Sequence, residues 1–300
     1  MDDLWIGPPG LMRPMPERSD ALTRPRTLGA AEFVSLEGAV TVSRARRAPR
    51  RTTLSWASLR PDDFDTLTEL VTAPPVWGIG NPGHGHEVAL VEPMVRNHLS
   101  GAQSRGRVSD PTKPGSWVQD YALTGGMAGA DYGQTGDGVM NLVVTGVVAQ
   151  GVITYLHPRW PGYPVNPGWP VTLMGDASTQ SLSVWRNCVP RLAWISGFGD
   201  AIATVTGTVG TATTPAQVTG VAPDQAAYVV PSASVVTVPA ASMLLGSPTV
   251  LAYTTPDQVQ GWPLGEGCPA YAITSFDDAP TPTGRGITLS LVEVRADAVR

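Results

Sequence analysis

From Pro167 to Val230 the chain alternates apolar and polar positions in short runs, each cut by Gly, Pro or Asp. Pro167-Gly168-Trp169-Pro170 turns into Val171-Thr172-Leu173-Met174. Pro190 to Ile195 follows, then the turn Gly197-Phe198-Gly199-Asp200, then Ala201 to Val209, Val218 to Asp224 and Ala226 to Val230. Such runs, rich in Val and Thr and broken at regular intervals, predict a β-sandwich or jelly roll. Trp194 alternates with Leu192 inside one run, which places it in the core. Asn141 to Val147 and Val152 to Leu156 extend the pattern towards the N-terminus, so the sandwich is expected over residues 117–260.

Outside that region the pattern predicts a smaller α+β unit. Glu32 to Ser43 holds two alternating segments hinged at Gly38. Thr52 to Leu59 reads as a strand with Leu54, Trp56 and Ser58 on one face. The clearest helix follows: Pro61 suits a first turn, Asp62, Asp63 and Asp65 sit near the positive end of the helix dipole, and Phe64, Leu67, Leu70 and Val71 recur at helical spacing. Pro74-Pro75 ends it, and Glu87 to Glu92 is another strand. Residues 100–116 read as a polar linker and 260–267 as a hinge. After it, Ala270 to Thr274 and Gly286 to Val294 form a terminal hairpin. A lone hairpin is only marginally stable, so it needs a sheet to join. The recipient expected is the incomplete N-terminal unit, which makes the sandwich an insertion. The fold class is therefore mainly β: an N-terminal α+β domain with one short helix (29–110 plus 265–300), an inserted jelly roll (117–260) and an extended arm (1–28) whose five prolines forbid a helix.

Composition narrows this further. The 300 residues include 33 Gly and 29 Pro, and charged residues make up only 15%. No run of about eighteen apolar residues is present, so no membrane span is expected. The acidic start Met1-Asp2-Asp3-Leu4-Trp5 lacks the regions of a signal peptide, which points to folding in a cytoplasm. Cys188 and Cys268 read as two buried thiols, since two cysteines make no disulfide framework and lack metal-ligand spacing. The single Lys113 among otherwise arginine basic residues fits a GC-rich coding genome. Net charge is −5, and no strongly basic face suggests sequence-specific nucleic-acid binding.

Two resemblances follow from these residues. The order of turn, strand, Leu192-Ala193-Trp194, Gly-Asp turn and Ala222-Pro223 to Tyr228-Val229 resembles carbohydrate-binding-module-like jelly rolls. The whole arrangement resembles minor tail proteins of long-tailed, siphovirus-like actinobacteriophages, distal-tail type. It does so through Trp5-Ile6-Gly7-Pro8-Pro9-Gly10, Leu54-Ser55-Trp56-Ala57 ahead of Phe64 to Leu70, Trp262 to Gly267, and the ending Leu289 to Arg295. The second resemblance implies a structural tail-tip protein, part of the virion and assembled in the host cytoplasm. It implies a ring of three or six copies around the tail axis, contacts with tail tube and hub proteins, and an outward sandwich. The alternative is a carbohydrate-binding adhesion module that contacts a host surface glycan.

Candidate chemistry is sparse. His84-Gly85-His86-Glu87 offers too few ligands for a metal site and reads as a polar loop. Arg44, Arg46, Arg47, Arg50 and Arg51, with Asp62 and Asp63 nearby, are candidate assembly contacts. The same run is also compatible with a solvated tip or a lumen lining. Trp160, Tyr163, Trp169 and Trp185, in or beside a Pro/Gly-rich loop, are candidate glycan contacts if exposed and packing residues if not. Asp277-Asp278 reads as part of a hairpin turn. No nucleophile elbow, phosphate-binding glycine loop or His-nucleophile pair occurs, so no catalytic residue and no cofactor is expected.

Overall fold

A computed structural model gives the structure, and it describes residues 4–15, 30–34, 37, 39–44, 49–72, 87–106, 121–125, 127–134, 140–147, 150–178, 182–237, 242–281 and 284–294. The chain is mainly β. Its strands are β1 (Leu4–Gly7), β2 (Arg13–Met15), β3 (Ala30–Val34), β4 (Val40–Arg44), β5 (Arg51–Leu59), β6 (Glu87–Val91), β7 (Tyr121–Thr124), β8 (Met127–Gln134), β9 (Met140–Val147) and β10 (Val152–Tyr155). They continue with β11 (Tyr163–Pro164), β12 (Pro170–Gly175), β13 (Cys188–Ser196), β14 (Ala201–Thr206), β15 (Ala216–Val221), β16 (Ala226–Val235), β17 (Ser242–Leu244), β18 (Thr249–Ala252), β19 (Ala270–Thr281) and β20 (Gly284–Val294). The helices are α1 (Pro61–Thr72), α2 (Gly101–Ser104) and α3 (Val184–Asn187).

The first sheet has the order β2-β1-β6-β19-β20-β5, with every neighbouring pair antiparallel. The terminal hairpin β19–β20 thus sits between β6 and β5. The described part of the N-terminal segment is not a free arm, because β1 and β2 are two strands of this sheet. α1 forms where the spacing predicts it and covers one sheet face. Its Leu67 is fully buried among Ile6, Leu54, Trp56, Leu90 and Leu289.

The other face of this sheet meets the sandwich. Along β6, Val88 and Leu90 pack towards α1, whereas Ala89 and Val91 belong to the sandwich core. A strand buried on both sides loses the alternation of a half-exposed one, which is why Glu87 to Val91 looks almost uniformly apolar. Trp5 on β1 likewise meets Trp169 edge-on, with ring centroids 5.1 Å apart.

The sandwich consists of two antiparallel sheets, β14-β13-β16-β10-β7 with β11 added on β16, and β15-β12-β18. β13 shows strict alternation, with Cys188, Leu192 and Trp194 buried. A further sheet, β17-β9-β8, and the two-stranded ribbon β3-β4 complete the described strands.

Polar side chains stitch the two units together. Asn97 donates to the carbonyls of Thr249 and Pro263 and accepts from the N–H groups of Leu99 and Leu251. Four bonds satisfy the full capacity of a buried carboxamide. The stretch expected to be a linker begins with α2, closed by a capping box: Gln103 N–H donates to Ser100 Oγ and Ser100 N–H to Gln103 Oε1. This reciprocal pattern satisfies two otherwise orphaned N–H groups.

Candidate functional site

The four aromatic residues open to either glycan contact or packing, Trp160, Tyr163, Trp169 and Trp185, are interior. Exposure runs from 0% for Trp185 to 7% for Trp169. Trp160 stacks on His157, with centroids 5.0 Å apart, and tilts against Tyr228. The Tyr163 hydroxyl donates to Gln103 Oε1 at 2.7 Å. Trp185 donates its indole N–H to Thr249 Oγ1 at 3.0 Å and lies so close to Gly175 that a Cβ there would overlap the ring. Trp169 is sandwiched between Trp5 and Tyr253. Protein surrounds these rings, so of the two alternatives they take core packing, and none of the four is a glycan contact here.

His157 organises this cluster. Its Nδ1 accepts from the N–H groups of Arg159 and Trp160, so its Nε2 carries the proton and donates to the Cys268 carbonyl at 2.7 Å. Burial holds its pKa down at about 4, and the ring is neutral. Arg159 grips Glu87 through both carboxylate oxygens, at 2.8 and 3.0 Å from Nε. Of the weighed His-Gly-His-Glu group, His84 and His86 lie outside the described residues, while Glu87 serves this ion pair. Among the described residues no three His, Cys, Asp or Glu side chains come together to hold a metal ion. Likewise, no helix there is long and apolar enough to cross a membrane. Cys188 and Cys268 are buried free thiols, and burial pushes both pKa values up to about 12.

Among the described residues no Arg candidate pairs with an Asp candidate. Arg46 and Arg47 lie outside the described residues, and Arg44 ends β4 opposite Ala30. Arg50 turns to Glu293: its backbone N–H donates to Oε2 at 2.9 Å, with Nε at 4.0 Å. Arg51 is exposed at the start of β5, and Asp62 and Asp63 occupy the first turn of α1. Asp278 pairs with Arg285 at 3.0 Å, and that guanidinium lies 4.2 Å above the Phe64 ring.

Two features remain. The ribbon β3–β4 pairs with no other described strand. Val34 faces Val40 in register, Val42 follows on the same side, and Phe33 points to the opposite side. All four are exposed, at 65%, 56%, 52% and 61% respectively. Both faces of the ribbon therefore stand in solvent carrying large apolar groups.

The second feature is a cleft of about 330 Å³ between the segment Val91–His98 and the segment Ala252–Pro263. Its wall holds Glu92, His98 and Tyr253, all buried, and its rim holds Arg96, Gln258 and Gln260, all exposed. The His98 ring stacks on Tyr253 with centroids 3.8 Å apart. Its Nδ1 is buried without a hydrogen-bond partner, and desolvation lowers its pKa to about 3. His98 carries no spacing signal in the sequence, being a single histidine inside a strand-to-helix connection. The only local cue is the polar pair Asn97-His98 ahead of the capping-box Ser100.

No known protein family matches the chain, and no curated protein matches it significantly. Among solved structures, part of the chain is similar to the crystal structure of the enzymatically active domain of Bacteriophage CBA120 tailspike protein 4. The TM-score is 0.35 at 12% identity, over 52% of this chain and 21% of that one.

Proposed function

We propose that the protein is a structural component of a bacteriophage tail tip that closes a ring of identical copies around the tail axis, with the sandwich turned outward. Its role is architectural, with no catalytic step, and its other partners are neighbouring tail proteins. The resemblance of its N- and C-terminal residues to distal-tail proteins supports this reading. So does one observation in the fold, the β3–β4 ribbon. An isolated two-stranded ribbon is marginal in water. Clustered apolar side chains on such an element mark a surface for another chain, and unpaired strand edges pair with neighbours. A ribbon offered to a different patch on the next copy is a heterologous contact, and heterologous contacts generate rings when the rotation closes.

The double variant Val34→Asp/Val42→Asp tests this in the full chain by sedimentation velocity. The expected result is loss of the assembled species with an unchanged thermal unfolding curve. A variant that assembles like the parent overturns the role of the ribbon.

A further inference from the structure

We propose that the β3–β4 ribbon of one copy adds, as a pair of extra strands, to the free edge of β14 in the next copy. The proposal rests on the ring reading and names the patch that the ribbon meets.

β14 ends its sheet and pairs only with β13 among the described strands. Exposed strand edges are templates for foreign strands, and proteins blunt them with charge, proline or a bulge. The outer edges of the first sheet carry such guards: Arg13 and Pro14 on β2, and Arg51 at the start of β5. On β14 the register shift against β13 falls at the beginning, at Ile202. Ala203-Thr204-Val205-Thr206 then runs in register without charge or proline. No Asp, Glu, Lys, Arg or His occurs anywhere from Ala201 to Pro223, although charged residues make up 15% of the chain.

The sandwich core is also open along this flank. Ala203 and Val205 stand opposite Trp194 and Leu192 of β13, so they lie on the core side of the sheet. Val205 is half-buried against the core, with Gly220 of β15 across from it, and Ala203 is exposed.

The ribbon fits this edge in charge, length and pattern. Its described exposed side chains, Phe33, Val34, Val40, Thr41 and Val42, are uncharged. Neutral ribbon on neutral edge strands no charge at the contact, whereas the outer side of α1 would bury Asp62, Asp65 and Glu69 against valine. β4 has 5 residues and β14 has 6. Antiparallel addition, the mode of β13 with β14 and of β3 with β4, places Val40 beside Val205, Thr41 beside Thr204 and Val42 beside Ala203. Val40 and Val42 share one face and continue the core side, which Val34, opposite Val40 on β3, extends further. Thr41 continues the outer side next to Thr204.

The experiment uses the full chain. Thr41→Cys and Thr204→Cys, both at exposed positions, are made as separate variants, mixed and mildly oxidised. Directly opposed strand residues lie within reach of a disulfide. Cys188 and Cys268 are buried, and the parent chain controls for them. The mixture is expected to give a covalent dimer on a denaturing gel, and neither variant alone. Thr204→Lys, which charges the edge, is expected to lose the assembled species in sedimentation velocity with an unchanged thermal unfolding curve. A parent that assembles without any mixed dimer, and with Thr204→Lys assembling equally well, overturns the proposal and leaves the ring reading standing. A covalent dimer from either variant alone also overturns it, because like elements then meet. A parent that never assembles overturns the ring reading and the proposal together.

Discussion

Asn166 and Met12 hold each other across 154 positions of sequence: Met12 N–H donates to Asn166 Oδ1 at 3.0 Å, and Asn166 Nδ2 donates to the Met12 carbonyl at 2.7 Å. One carboxamide thus satisfies both backbone groups of a residue in the turn between β1 and β2. Gly10 N–H adds a bond to the Val165 carbonyl at 2.9 Å. The N-terminal strands are clamped to the sandwich loop by backbone recognition as well as by the Trp5–Trp169 contact.

Asn166→Ala leaves two buried backbone groups unpaired, a loss on the order of 2 kcal/mol. A urea titration is expected to show that loss, together with faster amide exchange at Met12. Exchange at Met12 unchanged from the parent would show that the clamp does not depend on Asn166.

Trp160→Ala should destabilise the fold by about 3–5 kcal/mol, as expected for emptying a packed aromatic site. The Trp160 ring fills the space between His157 and Tyr228, so its loss acts through the core. A stable, well-folded Trp160→Ala protein would contradict that placement.

The Glu87–Arg159 pair ties β6 to the sandwich loop with side chains only 6% and 18% exposed. Arg159→Met alone takes the bidentate partner from a buried carboxylate and should cost about 3–5 kcal/mol. Adding Glu87→Gln removes the charge itself and is expected to recover much of the loss. A double-mutant cycle in chemical denaturation reads this directly, and strictly additive effects would rule out the coupling.

Acid should weaken the fold through its two buried histidines. An imidazole in the unfolded chain titrates near 6.5, whereas burial lowers His157 to about 4 and His98 to about 3. Between those values the unfolded chain binds more protons. Stability from the neutral rings is therefore complete above 6.5 and falls as pH drops towards 4 and then 3. Comparing urea midpoints at about pH 7.5 and about pH 5 should show the decline, and His157→Asn should make it shallower. Equal midpoints at the two pH values would contradict the neutral assignment.

Local physics made much of the fold legible. α1 stands where Pro61, the three aspartates and the Phe64-Leu67-Leu70-Val71 spacing put it, and β13 follows the alternation around Leu192 and Trp194. The terminal hairpin joins the sheet because unsatisfied strand edges demand it. The site was much less legible. A Trp in a Pro/Gly-rich loop reads the same whether it faces water or core, and distant residues decide the matter: Trp5 arrives on Trp169, and His157 and Tyr228 on Trp160. Ala89 and Val91 likewise belong to the sandwich core only because sandwich residues far along the chain pack over β6. His98 gains its meaning from Tyr253, which lies far along the chain and stacks beneath it.

The most direct test of the assembly reading is the native mass of the full-length protein over a concentration series, with negative-stain images of the same samples. The account predicts a closed ring at three or six times the 31.5 kDa chain mass. A 31.5 kDa monomer at every concentration up to tens of micromolar, with no rings in the images, would contradict it.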